Sequence, residues 1–178
     1  SLGCVSCAHS SVWQKQWKHA FDFATSNRLE LEILLQHYTY DSLKLEAAKV
    51  LIRNMPHCYS YQQGGEMDSV KRVRTYYSPF GQIDQTYARR WGHYTYRNLP
   101  KIYDAHIITA EYLIDNIDRA FDNWQKRPWN RSLSFEDFCE YLLPYRIGDE
   151  PLEEWRALYD KKYGYLLDSI YKGSDMVE

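Results

Sequence analysis

A chain of 178 residues can bury roughly 70% of the surface its unfolded form exposes, so one domain of this length can stand on its core without disulfides or a metal. Its net charge of −2 lacks the basic excess of a nucleic-acid binder, and no apolar run reaches the ~18 residues of a membrane span. The unusual quantity is aromatic content, 16% with 17 Tyr and 6 Trp; such side chains pair an apolar body with a polar tip and suit half-wet cores and binding surfaces.

The chain opens Ser1-Leu2-Gly3-Cys4, with small residues ahead of a cysteine as at a bacterial lipoprotein processing site. Cys4 is therefore a candidate lipid anchor, although Ser1 is not the usual aliphatic residue and could equally be a cloning remnant. Cys4-Val5-Ser6-Cys7 is followed by Ala8 and His9, whereas haem attachment needs the histidine directly after the second cysteine. A zinc site needs a second ligand pair, for which His57 and Cys58 are the only candidates. No cofactor and no metal are expected.

Trp13, Trp17, Ala20, Phe21 and Ala24 recur at helical spacing, and Leu31, Leu34, Leu35 and Tyr38 resume the pattern after a break near Ser26-Asn27. Asp41 is placed to cap a third helix carrying Leu43, Ala47, Val50, Leu51 and Asn54 on one stripe, ended by Pro56. Residues 57–68, polar and containing Gly64-Gly65, read as a loop. Residues 70–77 are ambiguous between helix turn and strand, and 83–97 read as a helix weakened at Gly92. Across this region Lys71, Arg72, Arg74, Arg89, Arg90 and Arg97 alternate with Tyr and Trp, the composition of a single-strand groove. With the charge compensated elsewhere, a solvated helix face over packed tyrosines is the better reading, and no nucleic-acid partner is expected.

The clearest helix spans 104–126, where Ile107, Ala110, Ile114, Ile117, Phe121 and Trp124 form an apolar seam. Ser134 opens the next, with Asp137 three residues on in a capping-box arrangement, and Pro144 stops it. Asp149-Glu150-Pro151 supplies acids and a proline for the start of a last helix reaching about Tyr171. The expectation is an all-α fold: a single multi-helix domain, an irregular bundle of about six to eight helices. Residues 1–10 would form an N-terminal tail, 11–172 the helical domain, and 173–178 a tail or linker.

Nothing in the sequence assembles into a complete active site. The six histidines (His9, His19, His37, His57, His93, His106) show no triad spacing, and a sequence-adjacent His57–Cys58 pair rarely has productive geometry. Gln63-Gly64-Gly65-Glu66 fits no phosphate loop. Glu136-Asp137 and Glu153-Glu154 sit at helix starts, where charge–dipole attraction accounts for them. Cys139 reads as a buried structural thiol.

The segments running from Ala110 to Phe121, from Leu133 to Arg146 (LSFEDFCEYLLPYR), and through Glu150, Trp155 and Arg156 belong together with the earlier AAKVLIRNMP stretch. Over residues 29–171 they resemble the N-terminal helical region of bacterial transglutaminase-like proteins of papain-like fold, many of them predicted lipoproteins of gut anaerobes. The resemblance implies a non-catalytic half whose partner is a downstream Cys-His-Asp domain of the same protein, so no catalytic residue carries over, Cys139 included. It also implies export to the periplasm or outer membrane, with membrane contact only through a lipid on Cys4. Tyr145, Arg146, Glu150, Trp155 and Arg156 are the candidate binding residues. Arg146 after Pro144 either offers its planar fork to a docking partner or polymer, or pairs internally with Glu150 or Glu140 to fix a corner. The alternative function is a stand-alone envelope module that uses Tyr and Trp to bind glycan or peptide polymers.

Overall fold

Helix α1 (Val5–Ala24) turns Ala20 and Ala24 fully inward, with Trp17 and Phe21 half-buried beside them, as the apolar spacing predicts. The computed structural model describes residues 5–62, 99–127, 130, 132–148 and 150–174, with side chains from 15 to 166 within those ranges. The loop after Gln62, the ambiguous stretch 70–77, the helix expected over 83–97 with its basic and aromatic cluster, and Cys4 lie outside the described residues. Residues 5–10, expected as tail, belong to α1.

The break at Ser26-Asn27 is a 3-10 turn, Thr25–Asn27, whose first residue has φ +49°. A β-branched residue there costs about 1–3 kcal/mol and persists only where its surroundings hold it. Asn27 supplies part of that hold: its Nδ2 donates to the carbonyls of Ala105 (3.1 Å) and Ile108 (2.8 Å). Helix α2 (Arg28–His37) buries Leu31 and Leu34, and Tyr38 beyond it donates to Asp118 at 2.8 Å. Asp41 caps α3 (Ser42–Asn54) by accepting from the Lys44 amide at 3.1 Å. The buried stripe of α3 is Ala47, Ala48, Leu51 and Ile52, one position round from the expected one, and Leu43 is exposed.

Met55 and Pro56 are buried in a 3-10 turn, Met55–His57, whose last residue is exposed. Strand β1 (Tyr59–Tyr61) follows and pairs antiparallel with β2 (Lys101–Tyr103), in the register Tyr59 to Tyr103, Ser60 to Ile102 and Tyr61 to Lys101. The reading of 57–68 as loop is thus corrected for Tyr59–Tyr61, and the all-α expectation becomes mainly α with a two-stranded sheet. Three residues are too short for a two-residue period to register, and the pairing partner is far away in sequence.

The long helix is shorter than expected. Asp104–His106 forms a 3-10 turn, Thr109 caps by accepting from the Tyr112 amide at 3.2 Å, and α4 runs Ala110–Lys126. Because the helical phase starts only at that cap, Ile107 is 50% exposed and Ile108 takes the core position at 1%. Glu30 of α2 adds a second cap, its carboxylate accepting from the Ala110 amide at 2.6 Å where the helix dipole favours negative charge. The capping box at Ser134 is present, with Asp137 Oδ2 returning the bond to the Ser134 amide. It starts a single α-turn, α5 (Phe135–Asp137), which widens into a π-helix, Phe138–Leu142, closed by the Leu143 amide on the Phe138 carbonyl at 2.9 Å. Ser134→Ala should lower stability by about 1 kcal/mol, read as a shifted denaturation midpoint; no shift would mean the box is ornamental. The last helix, α6 (Trp155–Ser174), begins four residues beyond Pro151 rather than at it. The core is continuous from α1 to the π-helix, and Phe121, Trp124, Phe135 and Phe138 form its aromatic centre.

Candidate functional site

A helix that stops at a π-turn and a proline leaves several carbonyls without amide partners, and such groups must find donors elsewhere. Here side chains from α4 and α6 provide them. Asn116 Nδ2 donates to the Leu143 carbonyl at 2.9 Å. Arg156 Nη2 donates to the carbonyls of Leu142 and, at 2.9 Å, Pro144. The Tyr145 carbonyl accepts from Tyr112 Oη and Trp155 Nε1, both at 2.9 Å. Arg156 Nε is held by Asn116 Oδ1 at 2.6 Å, and its guanidinium lies over the Trp155 indole, 4.4 Å from the ring centroid. Four donor types, an amide, a guanidinium, a phenol and an indole, therefore stitch α6, α4 and the end of the π-helix into one corner.

Below it sits a buried ion pair. Asp104 is fully buried, and the Arg146 side chain is 10% exposed. Arg146 grips Asp104 with two bonds, Nε to Oδ2 at 2.6 Å and Nη2 to Oδ1 at 3.1 Å, while Tyr145 Oη donates to Oδ2 at 3.0 Å. The remaining guanidinium bonds reach the carbonyls of Gly148 (2.5 Å) and Glu150 (2.9 Å). Of the two readings of Arg146, the internal one describes this geometry, but its carboxylate is Asp104, not Glu150 or Glu140. Among the described residues, Glu150 contributes its backbone only. The corner also explains the late start of α6: the chain ahead of it is occupied in bonds to Arg146 and, through the Glu153 carbonyl, to Tyr112.

The five candidate residues, Tyr145, Arg146, Glu150, Trp155 and Arg156, are thus brought together, mostly by bonds they make to the fold. Tyr112, Asn116 and Asp104 complete the arrangement and were not singled out from the sequence. Asn116, a buried polar residue next to Ile117 on the apolar seam, was the one local signal that could have marked it. Asp104 gave none, being 42 residues from Arg146.

Burial sets the electrostatics. It pushes the Tyr145 phenol well above its ordinary range, with nearby Asp104 adding to the effect, and lifts Tyr112 to about 12. It lowers the Arg156 guanidinium to about 10, still charged at neutral pH. The described thiols move the same way as the phenols. Burial, then the charge of Glu136, raises Cys139 to about 11, and burial raises Cys58, whose Sγ donates to the Asn54 carbonyl at 3.6 Å. No bond joins Cys58 to His57 among the described residues. A nucleophilic cysteine needs the opposite shift. Alkylation of Cys139 by iodoacetamide should therefore be slow at neutral pH, its rate climbing until about pH 11; a plateau near neutrality would contradict the assignment. The folded state holds this thiol neutral, so its contribution to stability is full below the ordinary thiol pKa and is lost as pH rises through about 11.

Against the corner, an open cleft of about 300 Å³ is lined by Thr109, Glu111, Tyr112, Asp115, Asn116 and Arg119 of the α4 side and by residues 153–156 of the α6 side. Among the described residues no three His, Cys, Asp or Glu side chains gather as a metal site, and no helix is long and apolar enough to cross a membrane. Compared with known proteins, the chain matches no family model, no curated protein and no solved structure.

Proposed function

We propose that this chain is a non-catalytic helical module, an irregular bundle of about six to eight helices, that presents substrate to a transglutaminase-like domain following it in the same exported protein. The observation that supports this reading best is the corner itself. In Phe138 to Arg146, the stretch carrying the most specific part of the resemblance, the last carbonyls close a π-turn against Trp155 and Arg156, and Tyr145 and Arg146 bury an ion pair with Asp104. Residues so used preserve an architecture and perform no chemistry. The raised thiols of Cys58 and Cys139 point the same way.

Two measurements test the proposal. Incubated with a fluorescent primary amine and a glutamine-bearing protein, this chain alone should incorporate no label; activity here overturns the non-catalytic reading. Sequenced past the codon for Glu178, the gene should continue into a segment with Cys, His and Asp in papain-like order, and a stop codon would overturn the modular reading. Lipidation of Cys4 belongs to the same proposal and is checked by mass spectrometry of the exported protein.

A second reading, an envelope module that binds polymers through aromatic rings, is favoured by one surface. Phe23 packs on Tyr103 and His106 at 5.1 and 5.0 Å, and Tyr103 packs on Tyr59 at 5.8 Å, so rings from α1, both strands and the 104–106 turn adjoin. Oligosaccharide binding that survives deletion of any downstream domain, and is lost in Tyr103→Ala, would favour it over the first.

A further inference from the structure

The corner leaves one polar edge unused. Arg156 commits Nε to Asn116 and Nη2 to two carbonyls, but Nη1 has no acceptor among the described residues. Arg156 also lines the cleft of about 300 Å³, at the lower end of small-molecule sites. Its guanidinium is already fixed by three protein acceptors and by the Trp155 ring, so a carboxylate meeting that edge would pay little to order it. The opposite charge is present in the same cleft: Glu111, Glu153 and Glu154 line it, exposed, and none of the three carboxylates has a hydrogen bond or ion pair among the described residues. Asp115, by contrast, is occupied by Arg119 at 2.7 Å. Arg119 also lines the cleft, but it is bonded to Asp115 and feels the charge of Glu154, so the Arg156 edge and the carboxylates without hydrogen bonds remain to suit a ligand bearing both charges.

We infer that the cleft binds a small zwitterion, a free amino acid or a short unblocked peptide, with its carboxylate on the Nη1 edge of Arg156 and its ammonium among Glu111, Glu153 and Glu154. Tyr112 and Trp155 give the side chain an aromatic wall. The inference goes beyond the modular reading, because it concerns this chain alone. A stop codon after Glu178 would leave it standing, and an empty cleft would leave the modular reading standing.

The test is titration of the full chain, followed by proton–nitrogen NMR at the Trp155 indole and Arg156 Nε–H signals. The probes are alanine, trialanine, N-acetyl-trialanine and trialanine amide. Alanine or trialanine should shift both signals saturably at millimolar concentration, and whichever binds better identifies the source of the zwitterion. Blocking either end removes one charge-assisted contact and should weaken binding about tenfold. The acids also lie at helix starts, where they stabilise their own helices, so stability alone cannot separate the roles. The combined variant Glu111→Gln, Glu153→Gln, Glu154→Gln keeps the corner intact. It should bind trialanine about tenfold more weakly while leaving the affinity for N-acetyl-trialanine unchanged. No saturable shift, equal affinity for free and blocked peptides, or a Gln variant indistinguishable from the parent overturns the inference.

Discussion

Replacing Asp104 by Ala should destabilise the domain by about 3–5 kcal/mol, a large share of the 5–15 kcal/mol that holds a typical domain together. The size follows from what remains rather than from what is removed. Arg146, nearly buried, would keep its charge with only the Gly148 and Glu150 carbonyls to face, and Tyr145 Oη would lose its acceptor. Removing both charges is a different experiment. Asp104→Leu with Arg146→Met should recover most of the loss, because an apolar pair avoids the desolvation that two buried charges must overcome. Urea denaturation with an unchanged slope measures both. If Asp104→Ala costs under about 1 kcal/mol, the pair does not anchor the corner.

Phe138→Ala should cost about 3–5 kcal/mol for a different reason. Phe138 is fully buried, stacks on Trp124 with centroids 4.4 Å apart at 17°, and meets Phe121 edge-on at 4.7 Å. Truncation loses the transfer energy of the ring and opens a cavity that three neighbouring aromatic rings, too stiff to collapse, cannot fill. Phe138→Leu, which keeps much of the volume, should cost less than half as much. The near-ultraviolet circular dichroism of Trp124 should fall in the Ala variant, and an unchanged signal would mean the stack is not formed in solution.

How much was legible in the sequence depended on the range of the interactions involved. Caps are local, and Asp41 and the Ser134–Asp137 box stand where their spacing placed them. Apolar periodicity gave α1, α2 and the body of α4 for the same reason. It failed at Ile107, because a 3-10 turn resets the phase and leaves no trace in composition. Tyr59–Tyr61 could not be read as a strand, since its hydrogen-bond partners lie at residues 101–103. The candidate site was half legible: Tyr145 and Arg146 stood out beside Pro144, while Glu150, Trp155 and Arg156 were named through the resemblance. Their meaning depended on Asp104, Tyr112 and Asn116, which arrive from other elements. A π-turn likewise has no residue signature, because it is forced by the bonds that close around it.

The fastening of α6 has a mechanical consequence. Trp155 and Arg156, in its first turn, carry its hydrogen bonds to the π-helix end, and Arg119 reaches Asp160 one turn later at 3.8 Å. After that first turn, Leu158, Tyr159, Tyr163, Tyr165 and Leu166 are exposed. The first turn of the helix is thus riveted to α4 and the π-helix end. Amide protons in its first turn should share the opening energy of the corner, and hydrogen exchange there should be slower than in a helix of the same length without such bonds. Any movement that opens the corner must therefore displace Trp155 and Arg156, which also line the cleft.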